Sequence, residues 1–123
     1  SGVFDGRSAK TVADSISVDV PSNGRLALKN LKAYNGRCVT VTDEEILSAQ
    51  KELSSACGLF SEPAAAAAYA GFLKQKPILD SSETCVVLLT GNGLKDINSA
   101  ANNIVIPEKT INSLDEIFYN GIA

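Results

Sequence analysis

Apolar residues recur at helical spacing through the middle of the chain and crowd into one unbroken run near residue 85. Leu26, Leu28, Leu31 and Tyr34 predict a short helix, which Asn35-Gly36 terminates because both residue types tolerate the conformation that closes helices. Pro21-Ser22-Asn23-Gly24 before it marks a loop. Cys38–Val41, "CVTV", predicts a strand from its β-branched residues. Thr42 follows directly, with Glu45 three residues on, the capping-box pattern of a helix start. Ile46, Leu47, Leu53 and Ala56 then keep helical spacing until Gly58, giving a helix over 43–57. A second helix over 62–75 starts around Ser61-Glu62-Pro63, with proline in its tolerated first-turn place, and stops before Pro77. Cys85–Leu89, "CVVLL", is apolar throughout, the signature of a strand covered on both faces. Further expectations are a lead-in over 1–7, mixed helix and turn signals over 9–18, a short strand at 104–106 and a final helix over 113–119. Helices alternating with buried strands predict an α/β architecture. Its strands 38–42 and 85–90 should lie parallel, with helices 43–57 and 62–75 packed on the sheet.

Composition narrows this picture. With 123 residues the chain suits a single domain, and 45% apolar residues suit a globular core. A net charge of −3, with no Lys/Arg run, argues against nucleic acid as a partner. No apolar run approaches the length of a membrane span, and a membrane partner is not expected. Cys38, Cys57 and Cys85 are odd in number and lack C-x-x-C spacing, so they read as reduced thiols of a cytoplasmic protein. The absence of histidine rules out a Ser-His-Asp triad, and no metal site is expected. The absence of methionine suggests a piece of a longer chain.

Candidate chemistry gathers where the apolar run ends, at Thr90-Gly91-Asn92-Gly93. In open α/β sheets, ligands bind beyond the carboxyl ends of strands, and glycine lets backbone turn sharply or a ligand come close. The same residues also make an ordinary strand-to-loop turn, and from spacing the two readings stand level. Glu62, between Ser61 and Pro63 at a helix start, is either a carboxylate favoured by the helix dipole or one that faces a pocket. The five alanines Ala64–Ala68 predict a helix packed closely against a sheet. Lys10–Val18 shows no chemistry by spacing, and Thr11, Ala13 and Asp14 suit a helix start.

Four stretches, in order, resemble one family: "TVADSISVDVPSNG", "VTVTDEEILSAQKEL", "GLFSEPAAAAAYAGFLK" and "VVLLTGNGLKD". They look like the carboxyl-terminal part of a fold-type-II pyridoxal-phosphate enzyme, over residues 9 to about 96. The first three occur in variant form in threonine dehydratases, serine racemases and threonine synthases. "LTGNGLKD", Leu89–Asp96, is similar to the signature of the threonine synthase branch. The resemblance implies a three-layer large domain with a mostly parallel sheet, pyridoxal phosphate as cofactor, and conversion of O-phosphohomoserine and water to threonine and phosphate. It implies that Thr90 hydrogen-bonds the cofactor's pyridine nitrogen, with Gly91 and Asn92 beside the ring and Glu62 near the active site. A small amino-acid substrate and a homo-oligomer, or self-association through an open sheet edge, follow as expected partners.

The resemblance also marks what this sequence lacks. It has no stretch like the "S-F-K-D" that bears the family's Schiff-base lysine, no glycine-rich phosphate loop and no "S-G-N" segment. The 123 residues by themselves are therefore expected to be inactive, as the carboxyl-terminal segment of a longer subunit. Residues 97–123 carry no assigned function. The alternatives are a threonine or serine dehydratase-like enzyme, against which a threonine at position 90 argues, and a non-catalytic α/β regulatory domain.

Overall fold

The computed structural model describes residue 6 and residues 8–105. The lead-in over 1–7 (Gly6 apart), the end of the 104–106 strand and the helix over 113–119 lie outside the described residues. Among the described residues four helices follow in order: α1 (Gly24–Ala33), α2 (Asp43–Cys57), α3 (Pro63–Gln75) and α4 (Ile97–Ala101), with 3-10 turns at Asp14–Ile16, Lys76–Ile78 and Gly93–Lys95. None of these helices is long and apolar enough to cross a membrane.

The ends of α2 follow the sequence closely. Thr42 Oγ1 accepts from the Glu45 N–H at 3.2 Å, and Glu45 Oε2 accepts from the Thr42 N–H at 2.7 Å, which completes the capping box. Gly58 closes the helix at a φ of 67°, with its N–H on the Ser54 carbonyl. Asn35, at a φ of 52°, ends α1 one residue after its cap, and the Gly36 N–H donates to the Leu31 carbonyl at 2.7 Å. Pro63 occupies the first turn of α3.

The core lies between α2 and α3. Ile46 and Ala49 from α2 meet Ala64, Ala66 and Ala70 from α3, and Ala13 closes one end. Ala66 is entirely inaccessible to solvent. Outside this core, Lys74 of α3 reaches both the Glu45 carboxylate and the Thr40 carbonyl at 3.0 Å, and Tyr69 donates to Glu52 Oε1 at 2.8 Å. The chain ahead of α1 is tied down by Asp43, whose carboxylate accepts from the Thr11 hydroxyl and the Val12 N–H.

Two expectations need correction. No sheet forms among the described residues; the sole strand-like pairing there is an antiparallel bridge between Ser61 and Asn92. The segments 38–42 and 85–90 are not paired with each other; Val41, Val87 and Leu89 are half-buried, but Val86 and Leu88 are 86% and 71% exposed. Residues 104 and 105 form no strand. The physical reason is that an apolar run reports the surroundings a segment prefers, while its ladder bonds must come from another strand. Second, the alanines of α3 pack on α2 and not on a sheet. The short helix read from Leu26, Leu28, Leu31 and Tyr34 is present as α1, with no residue of it buried.

Two outcomes follow. Ala66→Leu should lower stability by roughly 1–3 kcal/mol through overpacking, whereas Ala68→Leu, on the exposed side of α3, should leave the urea midpoint nearly unchanged; equal effects would contradict the α2–α3 interface. The second concerns pH. The Thr42 N–H, and next the Lys74 ammonium, hold the Glu45 carboxyl below the usual glutamate range. A lowered folded value means that this stabilisation is complete once an unfolded glutamate would be ionised. It is lost as the pH falls through the lowered value. Glu45→Gln should therefore flatten the acid limb of the Tm-against-pH curve; a curve parallel to that of the unsubstituted chain would refute this.

Candidate functional site

The loop after Leu89 is held by the segment between α2 and α3. The Gly93 N–H donates to the Phe60 carbonyl at 3.0 Å, and the Glu62 N–H donates to the Gly91 carbonyl at 3.1 Å. These two bonds frame the Ser61–Asn92 bridge and fix the register of one segment against the other. The Asn92 side chain turns back on its own loop, its Oδ1 accepting from the Leu94 N–H at 2.8 Å.

Neither Gly91 nor Gly93 has a positive φ. Their lack of a side chain answers to close neighbours instead. A Cβ on Gly91 would lie 1.7 Å from Glu62 Oε1, and one on Gly93 would lie 2.6 Å from three atoms of the Phe60 ring. On one side Gly91 thus meets the chain's own glutamate.

Thr90, Gly91 and Asn92 are consecutive and share one surface. They line a cleft of about 480 Å³ with Phe60, Ser61, Leu89 and Leu94. The Thr90 side chain is exposed and has no hydrogen-bond partner among the described residues. Glu62 abuts Gly91 but is not among the residues that line this cleft. It is the N-cap residue of α3 but makes no side-chain cap bond. It lines an adjoining cleft of about 530 Å³ with Thr11, Asp14, Ser15, Lys95, Asp96 and Ser99. Ser99 holds the Asp96 carboxyl below the usual aspartate range, through its hydroxyl first and then its N–H.

Ser61 and Gln50 escaped the sequence reading. Ser61 is 2% exposed, and its hydroxyl has no partner among the described residues. Gln50 is 4% exposed and donates through Nε2 to the Ser61 carbonyl at 2.7 Å. A polar residue on the apolar side of α2, one helical turn after Ile46 and next to Ala49, was the available signal for Gln50.

Comparison with known proteins gives a consistent result. The family model described as "Pyridoxal-phosphate dependent enzyme" matches residues 3–91, a span that includes Glu62, Thr90 and Gly91. A threonine synthase of Synechocystis sp. is 44% identical over 94 residues, covering 76% of this chain and 25% of that protein. A threonine synthase of Halalkalibacterium halodurans is 36% identical over 115 residues, covering 92% of this chain and 32% of that protein. A threonine synthase of Methanocaldococcus jannaschii is 40% identical over 96 residues, with 76% and 24% covered. The chain thus spans about a quarter to a third of the length of these relatives.

The glycine contacts make a testable contrast. Gly93→Ala must push an aromatic ring aside and should cost roughly 1–3 kcal/mol. Gly91→Ala displaces the end of a flexible glutamate. The stiffer unfolded chain offsets part of that, so its net effect should stay within about 1 kcal/mol. Unfolding midpoints of the two variants measure the difference, and equal losses would contradict the contacts described.

Proposed function

The chain belongs to the pyridoxal-phosphate dependent enzyme family, and from that premise we propose that it supplies the ring-facing wall of a threonine synthase-type lyase. The proposed reaction converts O-phosphohomoserine and water to threonine and phosphate. The observation that carries the reading is the Thr90 hydroxyl, unpartnered among the described residues, at the mouth of a cleft whose other walls include Leu89, Leu94 and Phe60. A hydroxyl among apolar side chains suits one edge of a flat heteroaromatic ring. The fit covers that edge alone, because no lysine or arginine lines the cleft to meet a phosphate. When bound, pyridoxal phosphate supplies an electron sink for bonds broken next to the amino group of an amino acid.

In this reading Thr90 orients the ring by a hydrogen bond at its nitrogen. A neutral hydroxyl leaves that nitrogen nearer its uncharged form than a carboxylate would. Gly91 carries Glu62 on one side and borders the Thr90 cleft on the other, so the glutamate lies next to the site without entering that cleft. The chain provides neither a phosphate-binding loop nor a recognisable Schiff-base lysine, and both are assigned to the remainder of the subunit. The exposed apolar residues Val86 and Leu88 fit a place within a parallel sheet of that subunit. By themselves the 123 residues are proposed to be inactive and to self-associate through that segment. A small amino-acid substrate and a cytoplasmic, homo-oligomeric enzyme complete the proposal.

The test uses the full-length enzyme that carries this chain. Thr90→Val should weaken pyridoxal phosphate binding by about 1 kcal/mol. Thr90→Asp should shift the product ratio away from threonine, because a nearby opposite charge favours the protonated ring nitrogen. If the cofactor Kd and the product ratio of both variants equal those of the unsubstituted enzyme, Thr90 is a turn residue and the proposal falls.

A further inference from the structure

Gln50 is a buried amide in a helix whose other buried residues, Ile46, Ala49 and Leu53, are apolar. The backbone donors along the middle of α2 are engaged within the helix, so a side-chain amide is its means of reaching sideways. Gln50 Nε2 reaches the Ser61 carbonyl, 11 residues on. That carbonyl belongs to the bridge holding the loop after Leu89, since Ser61 pairs with Asn92. The bonds on either side, Glu62 N–H to the Gly91 carbonyl and Gly93 N–H to the Phe60 carbonyl, leave little play in the register. Thr90 immediately precedes the first of these bonded residues.

The side chains of the bridged pair do not link it to the helical core by hydrogen bonds. The Ser61 hydroxyl has no partner among the described residues, and Asn92 Oδ1 accepts from its own loop. Backbone bonds tie the neighbouring residues to the helices, Leu59 N–H to the Leu53 carbonyl and Ala66 N–H to the Glu62 carbonyl, and the side-chain tie from α2 to the bridged pair itself is that of Gln50. Removing its donor would leave the Ser61 carbonyl without that partner in a buried place, and the loop would regain freedom relative to α2.

We infer that Gln50 is a positioning residue: its amide, acting through Ser61 and the bridge to Asn92, sets where Thr90 stands over the cleft. The inference rests on the reading of Thr90 given above. It assigns to α2, which contributes no residue to the Thr90 cleft, a role in the affinity for the aromatic nitrogen heterocycle.

A double-mutant cycle on pyridoxal phosphate binding tests it, using the full-length enzyme with Gln50→Met, Thr90→Val and the pair. Gln50→Met keeps length and apolar bulk while removing the donor. It should raise the cofactor Kd roughly five-fold, the equivalent of one lost hydrogen bond. In the Thr90→Val background it should change nothing further, which separates positioning from general loosening of the fold. A Thr90→Val protein that binds as tightly as the unsubstituted enzyme overturns the Thr90 reading and this inference with it. A loss with Thr90→Val but none with Gln50→Met, or losses that add, overturns this inference alone. Should Gln50→Met not fold, Gln50→Glu takes its place, because a glutamic acid donates to the Ser61 carbonyl only when protonated. Affinity relative to the unsubstituted enzyme should then recover as the pH falls, and the lack of such a recovery overturns the inference.

Discussion

The rest of the structure depends on how near α3 can come to α2. Ala64, Ala66 and Ala70 present nothing longer than a methyl group to Ile46 and Ala49. Close-packed interiors respond to single methyl groups, so this surface sets the separation of the two helices. That separation decides whether Gln50 reaches Ser61. A glutamine side chain has a fixed span, and larger residues on α3 would hold the segment before it out of reach. The Ser61–Asn92 bridge and the loop bearing Thr90 follow from the same distance.

Around this core the polar contacts serve chiefly to fix register. The Glu45–Lys74 pair has both side chains about two-fifths exposed, and exposed ion pairs add little to stability. Its use is geometric: one ammonium joins the end of α3 to the cap of α2 and to the Thr40 carbonyl. Asp43 plays the same part for the chain ahead of α1, binding Thr11 and Val12 at the first turn of α2. A carboxylate there also suits the positive end of the helix dipole.

The apolar surface is distributed in a way that fits a larger subunit. Val86, Leu88 and Leu94 are all well exposed, and they cluster along the segment that leads into and past Thr90. Large exposed apolar surface suits covering by another body, which the proposed subunit would supply. In the proposed enzyme, the wall that meets the cofactor ring and the surface that meets the rest of the subunit belong to one continuous segment. Ordering that segment would then be coupled to assembling the site.

What the sequence by itself determined was local. Thr42 with Glu45, Gly58, Asn35-Gly36 and Pro63 placed the ends of the three longer helices, because capping and helix termination depend on residues within a few positions of one another. The resemblance that singled out Thr90, Gly91 and Asn92 was legible for a similar reason, since those residues are contiguous. The tertiary structure decided what local pattern could not encode. The apolar run at Cys85–Leu89 read as a covered strand, but covering and ladder bonds come from other segments, and the described residues cover it only in part and give it no ladder. The alanines announced close packing, but the partner they implied was a sheet, and the folded chain puts α2 there instead. Gly91 and Gly93 signalled an approach to the backbone, and only the folded chain identifies Glu62 and Phe60 as the groups that approach. Gln50 stood among apolar residues as an unexplained amide. Its meaning lies 11 residues away, where two segments meet at a distance that is a property of the packed helices.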